Sequence, residues 1–108
     1  LLTGDIERTA EQELLSSGTQ LSADVVKVAH HGSRTSSTAD FIAATHAAWA
    51  VISVGRHSQF GHPHKEVLEA WDNSGAAVLT TGEYGMISII TDGRELDVSS
   101  FTTPDASP

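Results

Sequence analysis

Apolar positions along the chain switch between two periods, and the switches divide it into elements. Ile6, Ala10 and Leu14 recur every four residues with Glu7, Arg8, Glu11 and Gln12 between them. That spacing predicts an amphipathic helix over residues 7–17, stopped by Gly18. Val25, Val26 and Val28 form a short β-branched run within 24–29, as in a buried strand. After a polar loop, Phe41, Ile42 and Ala44 fall near helical spacing, which predicts a helix over 39–46 with Ser37 or Thr38 as its N-cap. Residues 49–54 read as a strand. Pro63 suits the first position of a helix over 64–74 whose apolar face is Val67, Leu68 and Trp71, with Gly75 just past its end. Strands follow at 76–80, 86–91 and 95–98, the last two joined at the turn signal Asp92-Gly93.

At the start, Leu1-Leu2-Thr3-Gly4-Asp5 reads as the end of an apolar strand entering a turn, without an initiator Met or a signal-peptide pattern. The expectation is a piece of a longer protein. Residues 1–98 then make one domain and 99–108, with two prolines and no periodicity, a polar tail.

Composition narrows the chemistry. At 108 residues the chain holds one domain, and 14 acidic against 6 basic residues give a net charge of −8. Such a charge argues against a broad electrostatic grip on nucleic acid, because phosphate neutralisation needs clustered Lys and Arg. If DNA is handled, other parts of a larger protein must attract it. There is no cysteine, which excludes disulfides, thiolate metal sites and a thiol nucleophile. The longest apolar run is residues 47–52, against roughly 20 residues for a membrane span.

Strands alternating with helices imply a largely parallel sheet, and ligands of such sheets collect beyond the carboxyl ends of the strands. Asp5, His30-His31-Gly32-Ser33 and Gly61-His62-Pro63-His64 all fall there, as does His57 nearby. Imidazole with carboxylate suits Zn²⁺ or Mn²⁺, and such an ion lowers the pKa of a bound water to near 7 and neutralises phosphate charge. The grouping therefore favours metal-assisted hydrolysis. Plainer roles exist for each residue. Asp5 precedes a helix, where the plain role is to cap it, and the acidic face of that helix reads as solvated surface. The loop 33–37, with Arg34, reads as solvated, although Ser33 and Arg34 are candidates for touching a phosphate oxygen. His46 and His57 read as solvent-facing, and Phe41, Trp49, Phe60 and Trp71 as packing residues.

Taken together, Leu2-Thr3-Gly4-Asp5, residues 24–33 (Asp-Val-Val-Lys-Val-Ala-His-His-Gly-Ser), Val51-Ile52-Ser53-Val54-Gly55, Phe60-Gly61-His62-Pro63-His64 and Gly85-Met86-Ile87 resemble the second half of a metallo-β-lactamase-fold domain. The resemblance is to the soluble C-terminal domain of ComEC-type DNA-internalisation competence proteins and covers roughly residues 1–98. It implies an α/β (α+β) fold, half of an αββα sandwich with a mixed sheet flanked by helices, and a two-metal hydrolase site in the intact domain. Asp5 would bridge the metals and His62 would be the last metal ligand. His31 would serve the scissile phosphate or protonate the leaving oxygen, and His30 would orient it or close the site. His64, Ser33 and Arg34 would contact substrate or support the ligands. The assignment in which His31 ligates and His62 contacts substrate stays open.

The first-half His-x-His-x-Asp-His pattern of that fold has no counterpart here, since the only His-x-His, His62-Pro63-His64, continues with Lys65-Glu66-Val67. The expectation is a half-domain that binds metal weakly and has little activity alone. In the parent it would act on single-stranded DNA during uptake. The resemblance implies a parent anchored in the membrane by absent upstream segments, with this domain soluble and extracytoplasmic. An exposed sheet edge would invite self-association. Rival readings are a non-catalytic scaffold module, or another hydrolase of the same fold acting on RNA, phosphocholine esters or lactones.

Overall fold

A computed structural model describes residues 1–33, 35–55 and 63–101. Helix α1 spans Arg8–Ser16, α2 Ala39–Thr45, α3 Lys65–Asn73 and α4 Thr81–Tyr84; strand β1 spans Val25–Lys27, β2 Trp49–Ile52, β3 Ala77–Thr80, β4 Ile87–Thr91 and β5 Leu96–Ser100. The class is α+β, as the alternation of periods predicts. Its parallel and antiparallel strands are divided between two sheets: a three-stranded parallel sheet ordered β1-β2-β3 and a two-stranded antiparallel ribbon, β4-β5. Parallel neighbours need crossover connections, and α2 and α3 provide them. Leu2 bridges Lys27 in parallel, so the apolar start of the chain continues the sheet beyond β1.

The register sets Val26 beside Ala50 and Ala50 beside Val78, with Ile52 beside Thr80, all on one face. That face meets Ile42 of α2 and Val67 and Trp71 of α3 to form the core, in which Val26, Val28, Ala50, Ile52 and Trp71 are wholly buried. Each of the larger of these side chains contributes about 1.5–3 kcal/mol by leaving water. The other face, with Val25, Trp49 and Val51, is only half-buried. Trp49 is thus a boundary residue rather than a core one.

Local chemistry explains most element ends. Thr38 caps α2 by accepting the Phe41 amide, and His46 ends it in the left-handed region at φ 48°, exposed as predicted. Gly75, at φ 96°, follows α3. Pro63, predicted at the first helical position, lies two residues before it. His64 is the N-cap and its amide is committed to the Gly32 carbonyl at 3.1 Å, so α3 starts at Lys65. The sequence pattern missed α4, a single turn capped by Thr80. Its Thr81 hydroxyl both accepts from the Val54 amide and donates to the Val54 carbonyl, tying the end of β2 to the end of β3. Strand β5 runs to Ser100, which pairs with Ile87, two residues past the predicted boundary at 98.

Two surface assignments are corrected. Glu11 on the acidic side of α1 is fully buried, not solvated, and two serines of the loop after the histidine pair, Ser33 and Ser36, are turned inward at about 5% and 4% exposed, while Thr35 is exposed. The reason is common to both: the loop packs back on α1. The Arg8 amide donates to the Thr35 carbonyl at 3.0 Å and the Ser36 hydroxyl donates to the Ile6 carbonyl.

Candidate functional site

Four segments converge beyond the carboxyl ends of the parallel strands. Thr3, at the end of the Leu2 bridge, donates its hydroxyl to the Lys27 carbonyl, which aligns Gly4-Asp5 with the exit of β1. From that exit the chain enters a tight turn, Ala29–Gly32, in which His30, His31 and Gly32 all lie in the left-handed region, at φ 54°, 53° and 81°. The His30 amide donates to the Gly4 carbonyl at 2.9 Å, and the Gly32 carbonyl accepts the His64 amide at 3.1 Å. The exit of β2 supplies Ser53. Sequence motifs 26–60 residues apart are therefore laced together by main-chain hydrogen bonds.

Gly32 is the close contact of this assembly. A Cβ there would lie 2.6 Å from Pro63 Cβ and 3.0 Å from its Cα, and the positive φ already disfavours any side chain. Only glycine lets the histidine turn and the Pro63-His64 segment approach this closely.

The two histidines are held differently. His31 is exposed, and its Nδ1 lies 2.6 Å from the Ser53 carbonyl oxygen. A carbonyl oxygen only accepts, so Nδ1 carries the hydrogen, and in the neutral ring Nε2 holds the lone pair. His30 is half-buried, with Nδ1 3.8 Å from Glu7 Oε2. Ser33 is turned inward, its hydroxyl within 2.9 Å of Thr35 Oγ1 and accepting the Thr35 amide at 3.2 Å, which makes it a turn-former here. His64 is half-buried at the start of α3. Asp5 is exposed and does not cap α1, whose N-cap position is Glu7. His62, Arg34, His57 and Phe60 lie outside the described residues.

The donor set fits a divalent cation in part. A histidine that donates one ring N–H to a backbone carbonyl and offers the other nitrogen has the orientation ligating histidines usually show, and Asp5 adds an exposed carboxylate on the adjoining segment. Among the described residues, no three His, Asp or Glu side chains gather closely enough to hold an ion.

The sequence reading overlooked Glu11. Its Oε2 accepts the Ser37 amide at 2.6 Å and its Oε1 the Thr38 amide at 2.8 Å. Trp71, also fully buried, donates its Nε1–H to Ser37 Oγ at 3.1 Å. A signal was present: Ala10, Leu14 and Leu15 make the apolar stripe of α1, and Glu11 sits inside it rather than opposite.

Comparison with known proteins finds relatives along nearly the whole chain. It is 39% identical over 107 residues to ComE operon protein 3 of Bacillus subtilis, covering 99% of this chain and 14% of that protein. It is 35% identical over 89 residues to Recombination protein 2 of Haemophilus influenzae, with 82% of this chain and 11% of that protein covered. With Competence protein ComA of Neisseria gonorrhoeae it shares 33% identity over 88 residues, 81% of this chain and 13% of that protein. No family model and no solved structure matches. The chain thus spans about one seventh or less of the length of the curated relatives it matches, and it is homologous to one segment of these competence and recombination proteins.

Proposed function

We propose that this chain is the C-terminal half of a metallo-β-lactamase-type domain that hydrolyses phosphodiester bonds of DNA within a membrane-anchored DNA-uptake protein. The observation that carries this reading is the convergence of Asp5, the histidine turn and the Pro63-His64 segment at one end of the parallel sheet, held there by the Gly4–His30 and Gly32–His64 main-chain hydrogen bonds. The relatives named for competence and recombination support DNA as the substrate. With a net charge of −8, this segment would leave attraction of the strand to other parts of the parent.

Asp5 and His62 would hold a Zn²⁺ or Mn²⁺ ion together with ligands from the absent first half. Such an ion supplies charge neutralisation at phosphate and an activated water. The proton work falls to His31. Protonated, it keeps Nδ1–H on the Ser53 carbonyl and presents Nε2–H to the leaving oxygen; having given up that proton, it returns to the Nδ1–H tautomer that the Ser53 contact requires. His30, beside Glu7, would orient the turn. In a second reading, favoured by the same Ser53 contact, His31 Nε2 is itself a metal ligand and His62 meets the substrate.

Elemental analysis and nuclease assays of the full-length protein separate these. Asp5→Asn should lose bound metal and DNA hydrolysis together. His31→Ala should lower turnover by roughly 10²–10⁴-fold with metal content kept if it serves the leaving group; loss of metal in step with turnover selects the ligand role. Unchanged hydrolysis in both variants overturns the proposal and leaves the scaffold reading.

A further inference from the structure

We propose that Glu11 is a positioning residue: its buried carboxylate clamps the strained loop that sets the orientation of His31. The proposal rests on the reading that His31 works at the site, and it assigns a role to a residue outside that site.

The histidine turn and the loop after it concentrate unfavourable backbone. His30, His31 and Ser37 are three of the four non-glycine residues with positive φ among the described residues, and all fall within eight positions. Each left-handed non-glycine residue disfavours the folded loop, and such residues persist only where their surroundings over-determine them. Inside the segment the Ser33 amide bonds the His30 carbonyl and the Ser36 amide the Ser33 carbonyl; the near end is tied to Gly4 and His64, and Thr35 and Ser36 to the start of α1. The far end, where Ser37 is left-handed, is restrained separately. Glu11, fully buried, accepts both the Ser37 and the Thr38 amide, while Trp71 donates its Nε1–H to the Ser37 hydroxyl oxygen from the other side. Ser37, at φ 63°, is therefore gripped at its amide and at its side chain by two wholly buried residues from different helices.

A buried carboxylate is expensive unless fully hydrogen-bonded, so its presence inside an apolar stripe calls for a use that an apolar residue cannot fill. Capping α2 does not account for it, because Thr38 already caps that helix with its own hydroxyl. What the carboxylate adds is a fixed far end for the 33–38 loop. With that end fixed, and the near end tied to Gly4 and His64, the His30–Gly32 turn has no slack to swing His31 Nδ1–H away from the Ser53 carbonyl.

The test reads the His31 ring directly. In long-range ¹H–¹⁵N spectra of the 108-residue chain, at a pH where imidazole is neutral, His31 should be predominantly the Nδ1–H tautomer. Glu11→Gln keeps the size of the side chain but replaces one acceptor oxygen with a donor. It should release the loop and turn the majority of His31 to the Nε2–H form that free histidine prefers. Thr38→Val removes the ordinary α2 cap and leaves the clamp, so it should leave the His31 tautomer unmoved. A folded Glu11→Gln chain with unmoved His31, or an equal shift from Thr38→Val, overturns the proposal. Should Glu11→Gln not fold, hydrogen exchange in the unmodified chain decides: the Ser37 and Thr38 amides must be the most protected of the 33–38 loop, and exchange as fast as that of exposed Thr35 overturns it. The two readings fail separately. Undiminished DNA hydrolysis by a His31→Ala parent removes the hydrolytic role, whereas an unmoved tautomer in Glu11→Gln removes the clamp.

Discussion

Gly32 shows how a single residue type carries the geometry of the site. Its missing Cβ admits Pro63, and its left-handed φ turns the chain back toward Gly4 and Ser53. Gly32→Ala meets both penalties at once: about 1 kcal/mol for the backbone and about 1–3 kcal/mol for overpacking against a backbone-anchored proline. Urea unfolding should show a loss of roughly 2–4 kcal/mol by the same two terms. A loss under about 0.5 kcal/mol, the size of an ordinary surface change, would mean that the histidine turn and the Pro63 segment do not touch. Trp71→Phe is the gentler probe. It keeps most of the ring and forfeits one buried hydrogen bond to Ser37, so about 1 kcal/mol should be lost. At this scale the histidine pair was legible, because two imidazoles at a strand end followed by Gly-Ser are chemically conspicuous. Glu11 was not, because acidic residues on a helix are solvated far more often than buried, and only its place among Ala10, Leu14 and Leu15 marks it out.

Helices and strands were legible wherever one face is buried. The four-residue spacing of α1, the β-branched run of β1 and the Val67-Leu68-Trp71 face of α3 each report burial on one side, and each element lies within a residue or two of its predicted span. Elements whose reason is a hydrogen bond rather than a face escaped notice. The turn Ala29–Gly32 and helix α4 are fixed by main-chain contacts to Gly4 and by the Thr81–Val54 pair, and neither has a period to read. The β4-β5 ribbon was legible from its turn, and there the chemistry is testable by pH. Asp92 Oδ1 accepts the amides of Arg94 and Glu95, both at 2.8 Å, which holds its carboxyl below the ordinary 3.8, chiefly through the Glu95 amide and then the Arg94 amide. A carboxyl depressed in the folded state stabilises above its unfolded pKa and loses that contribution as pH falls through the folded value. Amide exchange of Arg94 and Glu95 should therefore quicken as pH is taken below about 4, after correction for intrinsic rates. Asp92→Asn should flatten that dependence. An unchanged profile in Asp92→Asn would show that the turn is held by its backbone alone.

For the molecule as a whole, the most informative feature is where apolar surface remains. Met86, Ile90 and Phe101 are 67%, 65% and 77% exposed, and the strand pairing of Ile90 with Asp97 and the Phe101–Met86 main-chain bond put all three on one face of the ribbon. Leu2, 86% exposed, lies on the outer side of the first sheet, where it bridges Lys27 at the end of β1. A two-stranded ribbon is marginal in water on its own, and exposed apolar groups on its face and beside β1 are surface of the kind that binds other chains. Opposing the cohesion of these surfaces is the net charge of −8, which repels one copy from another and is screened by salt. The balance predicts self-association that strengthens with ionic strength. Met86→Lys with Ile90→Lys changes the charge from −8 to −6, which weakens repulsion, yet it removes two of the exposed apolar groups. If apolar contact governs, sedimentation velocity at high salt should show less association for the double variant despite its smaller charge. Its unfolding free energy should stay within about 0.5 kcal/mol of the original, since both positions are exposed already. Greater association of the variant would assign the behaviour to charge instead, and a large loss of stability would mean that the ribbon face is packed in solution.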